Sequence, residues 1–225
     1  MKPSMQCDWR VSTARAREMQ QELAPRIIRT GAVENPKLIA GADISVNRFA
    51  KTGKAAVVIL TYPGLEVAEI QTIIAPVEFP YVPGLLTFRE APLVLAAFKK
   101  LSLTPDLVFV DGQGIAHPRR IGLASHLGLC LGIPTIGCAK SRLIGEHADP
   151  APEAGSYAEL TDEAEVIGAV VRTKDGVKPM YISIGHLIDL PDAVKWTLAC
   201  CRGFRIPKPT RRAHQAAAQN ANLKS

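Results

Sequence analysis

The spacing of apolar positions divides these 225 residues into an extended part, a helical switch and an alternating part. Between Lys37 and Pro76 the chain offers three β-rich runs, KLIAGADISV, AAVVILTY and LEVAEIQTIIAP, parted by the turn signals KTGK and YPGL. Connections this short predict an antiparallel meander. Past the proline-studded loop FPYVPG, apolar residues recur at helical spacing in FREAPLVLAAFKKL, where Pro92 is expected only in a first turn. LVFV (107–110) is apolar throughout, as in a short strand covered on both faces. GLASHLGLCLG then predicts a helix and IPTIGCAK another buried strand, followed by the β-rich AEVIGAVVRT and PMYISIGH. DAVKWTLACCRG predicts a last helix with Pro191 at its start, and TARAREMQQELAPRIIR an early one broken near Pro25. Together these predict an α/β fold, a mixed sheet flanked by helices.

Bulk properties narrow the picture. At 47% hydrophobic, 225 residues bury one core well, so residues 1–225 are expected to form a single domain. The last dozen residues, from about 213, look like a loose tail. The amino-terminal MKPSMQCDWR lacks the apolar centre of a signal peptide, and no apolar run reaches membrane-spanning length. Five cysteines without a CxxC pair suit a reducing, cytoplasmic setting. The net charge of +6 attracts polyanions, and its cations cluster in HPRR (117–120), AKSR (139–142) and KPTRRAH (208–214), all three expected to be loops.

Three acids fall at element ends. Asp43 closes LIAGA, Asp111 closes LVFV, and Glu90 opens the helix between them. Each has a plain structural reading, as a strand-ending turn or a helix-dipole acid. If the two strands are neighbours, however, the three converge, and carboxylates about 4 Å apart repel by about 4 kcal/mol at an intermediate dielectric. A hard divalent cation with oxygen ligands relieves that repulsion. Zinc is disfavoured, because no His and Cys spacing of the usual kind is present. Glu90 is left with two roles, as a metal ligand or as the base for an attacking water.

Five stretches together resemble the endonuclease V family: GADISV at Asp43, PYVPGLLTFRE (80–90), PDLVFVDGQGIAHPRRIGLASHLG (105–128), PTIGCAKSRL (134–143) and PTRRAH (209–214). The resemblance implies a ribonuclease H-like fold. It also implies hydrolysis of the second phosphodiester bond 3′ to a deoxyinosine, leaving 3′-hydroxyl and 5′-phosphate ends. Mg²⁺, with Mn²⁺ as a substitute, is the implied cofactor, and DNA with deaminated purines the implied partner; inosine RNA stays open. Asp43, Asp111 and Glu90 match the family's acidic positions, and His214 matches a histidine near the metal. Lys140, after a buried strand, would reach the same edge. In the wedge motif Pro80, Tyr81, Val82 and Pro83, the stiff segment presents an aromatic ring to a base stack. Gly84, Leu86, Gly112, Gly122 and Leu123 are implied to line a pocket for the extruded base. His117 would order that loop, and Arg119 and Arg120 would hold phosphates. Gln113 departs from the histidine or asparagine expected in the family there, at a position that touches no acid.

Overall fold

In the computed structural model of the chain, which describes residues 4–5, 7–47 and 51–218, an eight-stranded sheet carries helices on both faces. The meander is present: β1 (Leu38–Asn47), β2 (Thr52–Thr61) and β3 (Val67–Pro76) pair antiparallel in sequence order. Helix α2 (Leu86–Lys99) then returns the chain so that β4 (Leu107–Val110) pairs parallel with β1, and α3 (Leu123–Leu131) does the same between β4 and β5 (Thr135–Ala139). Three more strands, β6 (Tyr157–Asp162), β7 (Glu165–Val171) and β8 (Met180–His186), complete the sheet in the order β3-β2-β1-β4-β5-β8-β7-β6. Helix α1 (Thr13–Leu23) precedes the sheet, and α4 (Leu190–Cys201) and α5 (Lys208–Ala218) follow it.

Strand β4 explains why LVFV has no polar position. Leu107 and Phe109 belong to the core shared with Trp196 and Cys200 of α4 and Ala213 of α5. Val108 and Val110 belong to the core under α2 and α3. Alternating side chains thus meet apolar partners on both faces, the pattern of a central parallel strand.

The structure departs from the sequence reading at several elements. Pro92 lies well inside α2, so the carbonyl one turn earlier loses its helical donor; the buried Ala91, Leu93, Val94 and Leu95 around it keep the helix on the sheet. Strand β6 was missed because half-exposed YAELTD lacks an apolar run. KPTRRAH is helix, not loop, and the expected loose tail is ordered helix through Ala218, with Ala213 and Ala217 buried; residues 219–225 lie outside the described set. Small alanines let this basic helix sit close to the sheet, a signal that its polar composition hides.

The contact between α5 and β1 needs a glycine. A Cβ placed on Gly41 would lie 2.0 Å from the Pro209 carbonyl oxygen, which is impossible without displacing the helix. Gly41→Ala is therefore expected to destabilise the protein by about 1–3 kcal/mol through overpacking, read as a lowered urea midpoint. It should also move His214, which α5 carries, away from the sheet edge. An unchanged midpoint would contradict this packing.

Candidate active site at the carboxyl ends of the parallel strands

The register of β1 and β4 places the first two acids. Ala42 pairs with Val110, and the Asp111 amide donates to the Ala42 carbonyl at 3.1 Å, so Asp43 and Asp111 follow the last paired residues side by side. Asp43 is buried, and its Oδ1 accepts from the Ile44 amide at 2.8 Å. Its Oδ2 accepts from His214 Nδ1 at 2.7 Å, the bond that the close seat of α5 makes possible. Lys140, one residue past β5, donates its ammonium to Asp111 Oδ2. Each carboxylate thus has its own nitrogen partner across a shared edge.

Among the described residues, Asp43, Asp111 and His214 bring one donor atom each within 4.8 Å of one another. Glu90 falls outside that set although it faces the same cleft. The tight donor group is therefore two aspartates and a histidine, rather than the three acids the sequence suggested. Burial and the neighbouring Asp111 charge raise the pKa of Asp43, while His214 and the Ile44 amide oppose the rise. Burial, then the Asp43 charge, lifts Glu90 to about 7, with Arg89 opposing. Such repulsion is what a divalent cation removes, and the two aspartates supply the carboxylate oxygens that a hard cation takes, with His214 beside them.

These groups line a cleft of about 520 Å³. The same lining includes Gly84, Leu86, Gly112, Gly122 and Leu123, the expected pocket residues, together with His117 and Gln113. Tyr81 stands at the rim with 65% of its surface exposed, flanked by Pro80 and Pro83, which are exposed too; Val82 instead packs against the small cluster of Phe79, Leu85 and Phe88. Arg89 secures the start of this loop by donating to the Phe79 carbonyl at 2.9 Å.

The loop is anchored by a network that the sequence did not reveal. Gly84 has φ +76°, a conformation open to glycine, and its carbonyl accepts from three side chains. Gln20 Nε2 reaches it at 3.1 Å, His117 Nε2 at 3.0 Å and Arg119 Nη2 at 2.7 Å. Gln20, fully buried on α1, also donates to the Ile121 carbonyl and accepts from Arg119 Nε at 2.6 Å. A glutamine in a run of polar residues carries no such signal. Its only trace is that QQEL continues the buried side of α1 begun at Ala16 and Met19.

The arginines expected to hold phosphate are placed differently. Arg119 braces Gly84 and Gln20, and Arg120 pairs with Asp162 at 2.8 Å and Glu165 at 2.6 Å. The acids of β6 and β7 were not visible as partners because they lie more than forty positions away. The exposed Lys140 lines the cleft, and Arg142, two residues further along the chain, is exposed as well. Gln113 Nε2 donates to the Ser141 carbonyl at 3.1 Å, tying the glycine loop to that segment.

A mixed sheet with paired aspartates at the ends of adjacent parallel strands, backed by a histidine and a lysine, defines a nuclease of the ribonuclease H-like class. The profile of Endonuclease V matches residues 21–215. Endonuclease V of Gloeobacter violaceus is 53% identical over 209 residues, covering 92% of this chain and 85% of its own. The crystal structure of Endonuclease V from Streptomyces avermitilis superposes with a TM-score of 0.89 at 42% identity, covering 95% of this chain and 94% of its own. Endonuclease V of Ciona intestinalis, in complex with DNA containing an inosine followed by a ribo-adenosine, gives a TM-score of 0.77 at 29% identity, covering 91% and 95%. The chain belongs to the endonuclease V family.

His117 supplies a pH test of the loop network. Burial, then the nearby Arg119 charge, lowers its pKa from 6.5 to about 4, and Nδ1 accepts from the Arg119 amide, which fixes the neutral form. Between these values the unfolded chain binds more protons than the folded one, so stability rises with pH. Linkage limits the effect to about 3 kcal/mol across the window. In His117→Gln, whose amide can still reach Gly84, urea melts from pH 4 to 7 should lose that part of the slope. An identical slope in both proteins would exclude a buried neutral imidazole.

Proposed function

We propose that this chain is a repair nuclease that recognises deoxyinosine in DNA and hydrolyses the second phosphodiester bond on its 3′ side, using Mg²⁺ or, in its place, Mn²⁺. One observation carries the reading: the Asp43, Asp111 and His214 donors converge in a cleft that an exposed tyrosine, Tyr81, also lines. The Ciona intestinalis relative, bound to inosine-containing DNA, supports the choice of lesion.

Asp43, Asp111 and His214 would hold the divalent cation, and once bound it lowers the pKa of water and stabilises negative charge on phosphate oxygens. The chain's own residues do the rest. Lys140 fixes the Asp111 carboxylate and has N–H donors to spare for a phosphate oxygen. His214 fixes Asp43 through Nδ1. Glu90, outside the tight donor set, faces the cleft where it can orient the attacking water and take its proton. Tyr81 fills the gap in the stack left by the extruded base, and the glycine-lined wall receives that base. Phosphate contact falls to Lys140 and Arg142, since Arg119 and Arg120 already serve protein partners.

A second reading keeps the same chemistry on inosine in RNA, because the Ciona intestinalis complex carries a ribo-adenosine next to its inosine. Parallel nicking of deoxyinosine DNA, inosine RNA and undamaged duplex separates the two.

Removing a ligand should lower the rate far more than the affinity. Asp43→Asn or Asp111→Asn is expected to reduce Mg²⁺-dependent nicking by roughly 10³-fold or more, since a bound ion contributes several kcal/mol to the transition state. DNA affinity, measured by anisotropy in Ca²⁺, should change by no more than about a few fold. Near-normal cleavage by either variant would reject the assignment. The rim residue gives a separate expectation: Tyr81→Ala should weaken binding to deoxyinosine duplex by about tenfold, or about 1.4 kcal/mol, and leave binding to undamaged duplex nearly unchanged. Equal losses on both would remove Tyr81 from lesion recognition.

A further inference from the structure

A second cluster of ligand-bearing side chains lies away from the nuclease site. His126 and Cys130 are four residues apart on α3, so they share one face of the helix. Cys7, from the amino-terminal segment, meets both: its Sγ is 3.5 Å from His126 Nε2 and 3.7 Å from Cys130 Sγ. One donor atom from each of the three lies within 4.8 Å of the other two. A zinc ion with bonds of about 2.3 Å to sulfur and about 2.0 Å to nitrogen, at tetrahedral angles, separates two sulfurs by about 3.8 Å and sulfur from nitrogen by about 3.5 Å. Both observed spacings match.

The surroundings hold the donors in place. His126 is fully buried, its Nδ1 lacks a partner, and its ring lies 4.9 Å from that of Trp9 and 5.6 Å from that of Phe88. The amides of Ser4 and Met5 donate to the Cys130 carbonyl at 2.7 and 3.2 Å, and Ser4 Oγ donates to the same oxygen at 3.0 Å. Cys7 is only partly buried, which leaves one side of the cluster accessible to water or an added ligand. Its hydrogen bond with Cys130 lowers the Cys7 thiol, burial opposing, and the same bond raises the Cys130 thiol, so the two sulfurs share a proton that a bound metal would displace.

We propose that Cys7, His126 and Cys130 form a second metal site, for a thiophilic divalent cation of the zinc type, that clasps the amino-terminal segment onto α3. Two thiolates and an imidazole are soft and borderline donors, whereas the nuclease site offers mainly carboxylate oxygen, so the two sites sort different metals. Spacing along the chain weighed against zinc because one ligand lies 119 positions from the next. The clasp holds α3, whose first residue, Leu123, lines the cleft.

The test uses the reduced 225-residue protein and cobalt as a spectroscopic substitute for zinc. Titration with Co²⁺ should give a thiolate-to-metal charge-transfer band that saturates at about one ion per chain and is bleached by Zn²⁺. Zn²⁺ should also raise the melting temperature of the wild-type protein. Cys7→Ser, a change outside the helices and strands, should lose both the band and the zinc-dependent rise, and Asp43→Asn should keep both. Absence of the band from the reduced wild-type protein, or its survival in Cys7→Ser, would overturn the proposal. So would its loss in Asp43→Asn, which would assign the ion to the nuclease site instead.

Discussion

The nuclease centre depends on how closely α5 lies on β1. Asp43 and Gly41 project from the same face of the strand, two residues apart, and the Pro209 carbonyl fills the space a Gly41 side chain would take. The helix is thereby low enough for His214 to reach Asp43 at 2.7 Å. One missing methyl group connects the last described helix to the first strand across most of the chain. Backbone proximity of this kind is rigid, since neither a carbonyl nor a central strand can yield locally. It positions the histidine more securely than a side-chain contact would.

Electrostatics decides the remainder of the centre. Burial, then the Asp111 charge on the adjacent strand, raises the proton affinity of Asp43, and burial, then the Asp43 charge, raises that of Glu90. Lys140 and His214 lessen the rise at Asp43 from either side. The compensation is incomplete, because Glu90 adds a further carboxyl that, lifted to about 7 by burial and the Asp43 charge, takes its full charge only when a cation relieves the repulsion. A centre left with surplus negative charge binds a divalent cation more readily than one neutralised by its own side chains. The same surplus would repel a phosphodiester in the absence of metal, so cation and substrate binding are coupled by the arrangement.

How much of this was legible in the sequence follows from what each residue touches. Asp43, Asp111 and LVFV were readable because strand ends and doubly covered strands leave marks in consecutive residues. The glycines, Tyr81, Lys140 and His214 could be named through likeness to a family, and all of them line the cleft. Helix α5 was misread as loop and loose tail because its contact with the sheet is made by alanines and a proline carbonyl, which carry little apolar signal. Gln20, and the acid partners of Arg120, were invisible for a different reason. A buried hydrogen bond between residues about a hundred positions apart has no local pattern. Polar residues announce burial only through the partners they find.

The inward turn of His117, Arg119 and Arg120 changes the meaning of the cationic cluster HPRR. In the role proposed for Tyr81, an aromatic ring that enters a base stack works only if its own loop resists being pushed back, because any loop ordering at that moment subtracts from binding. Three donors on the Gly84 carbonyl, with Gln20 linking α1 to the same point, remove that freedom before DNA arrives. Arg120 extends the brace to β6 and β7 through Asp162 and Glu165. A free guanidinium in either position would add a phosphate contact but release the segment that carries Tyr81. For a nuclease that must find one altered base among many ordinary ones, a stiff rim adds discrimination, whereas another phosphate contact strengthens binding to every sequence alike.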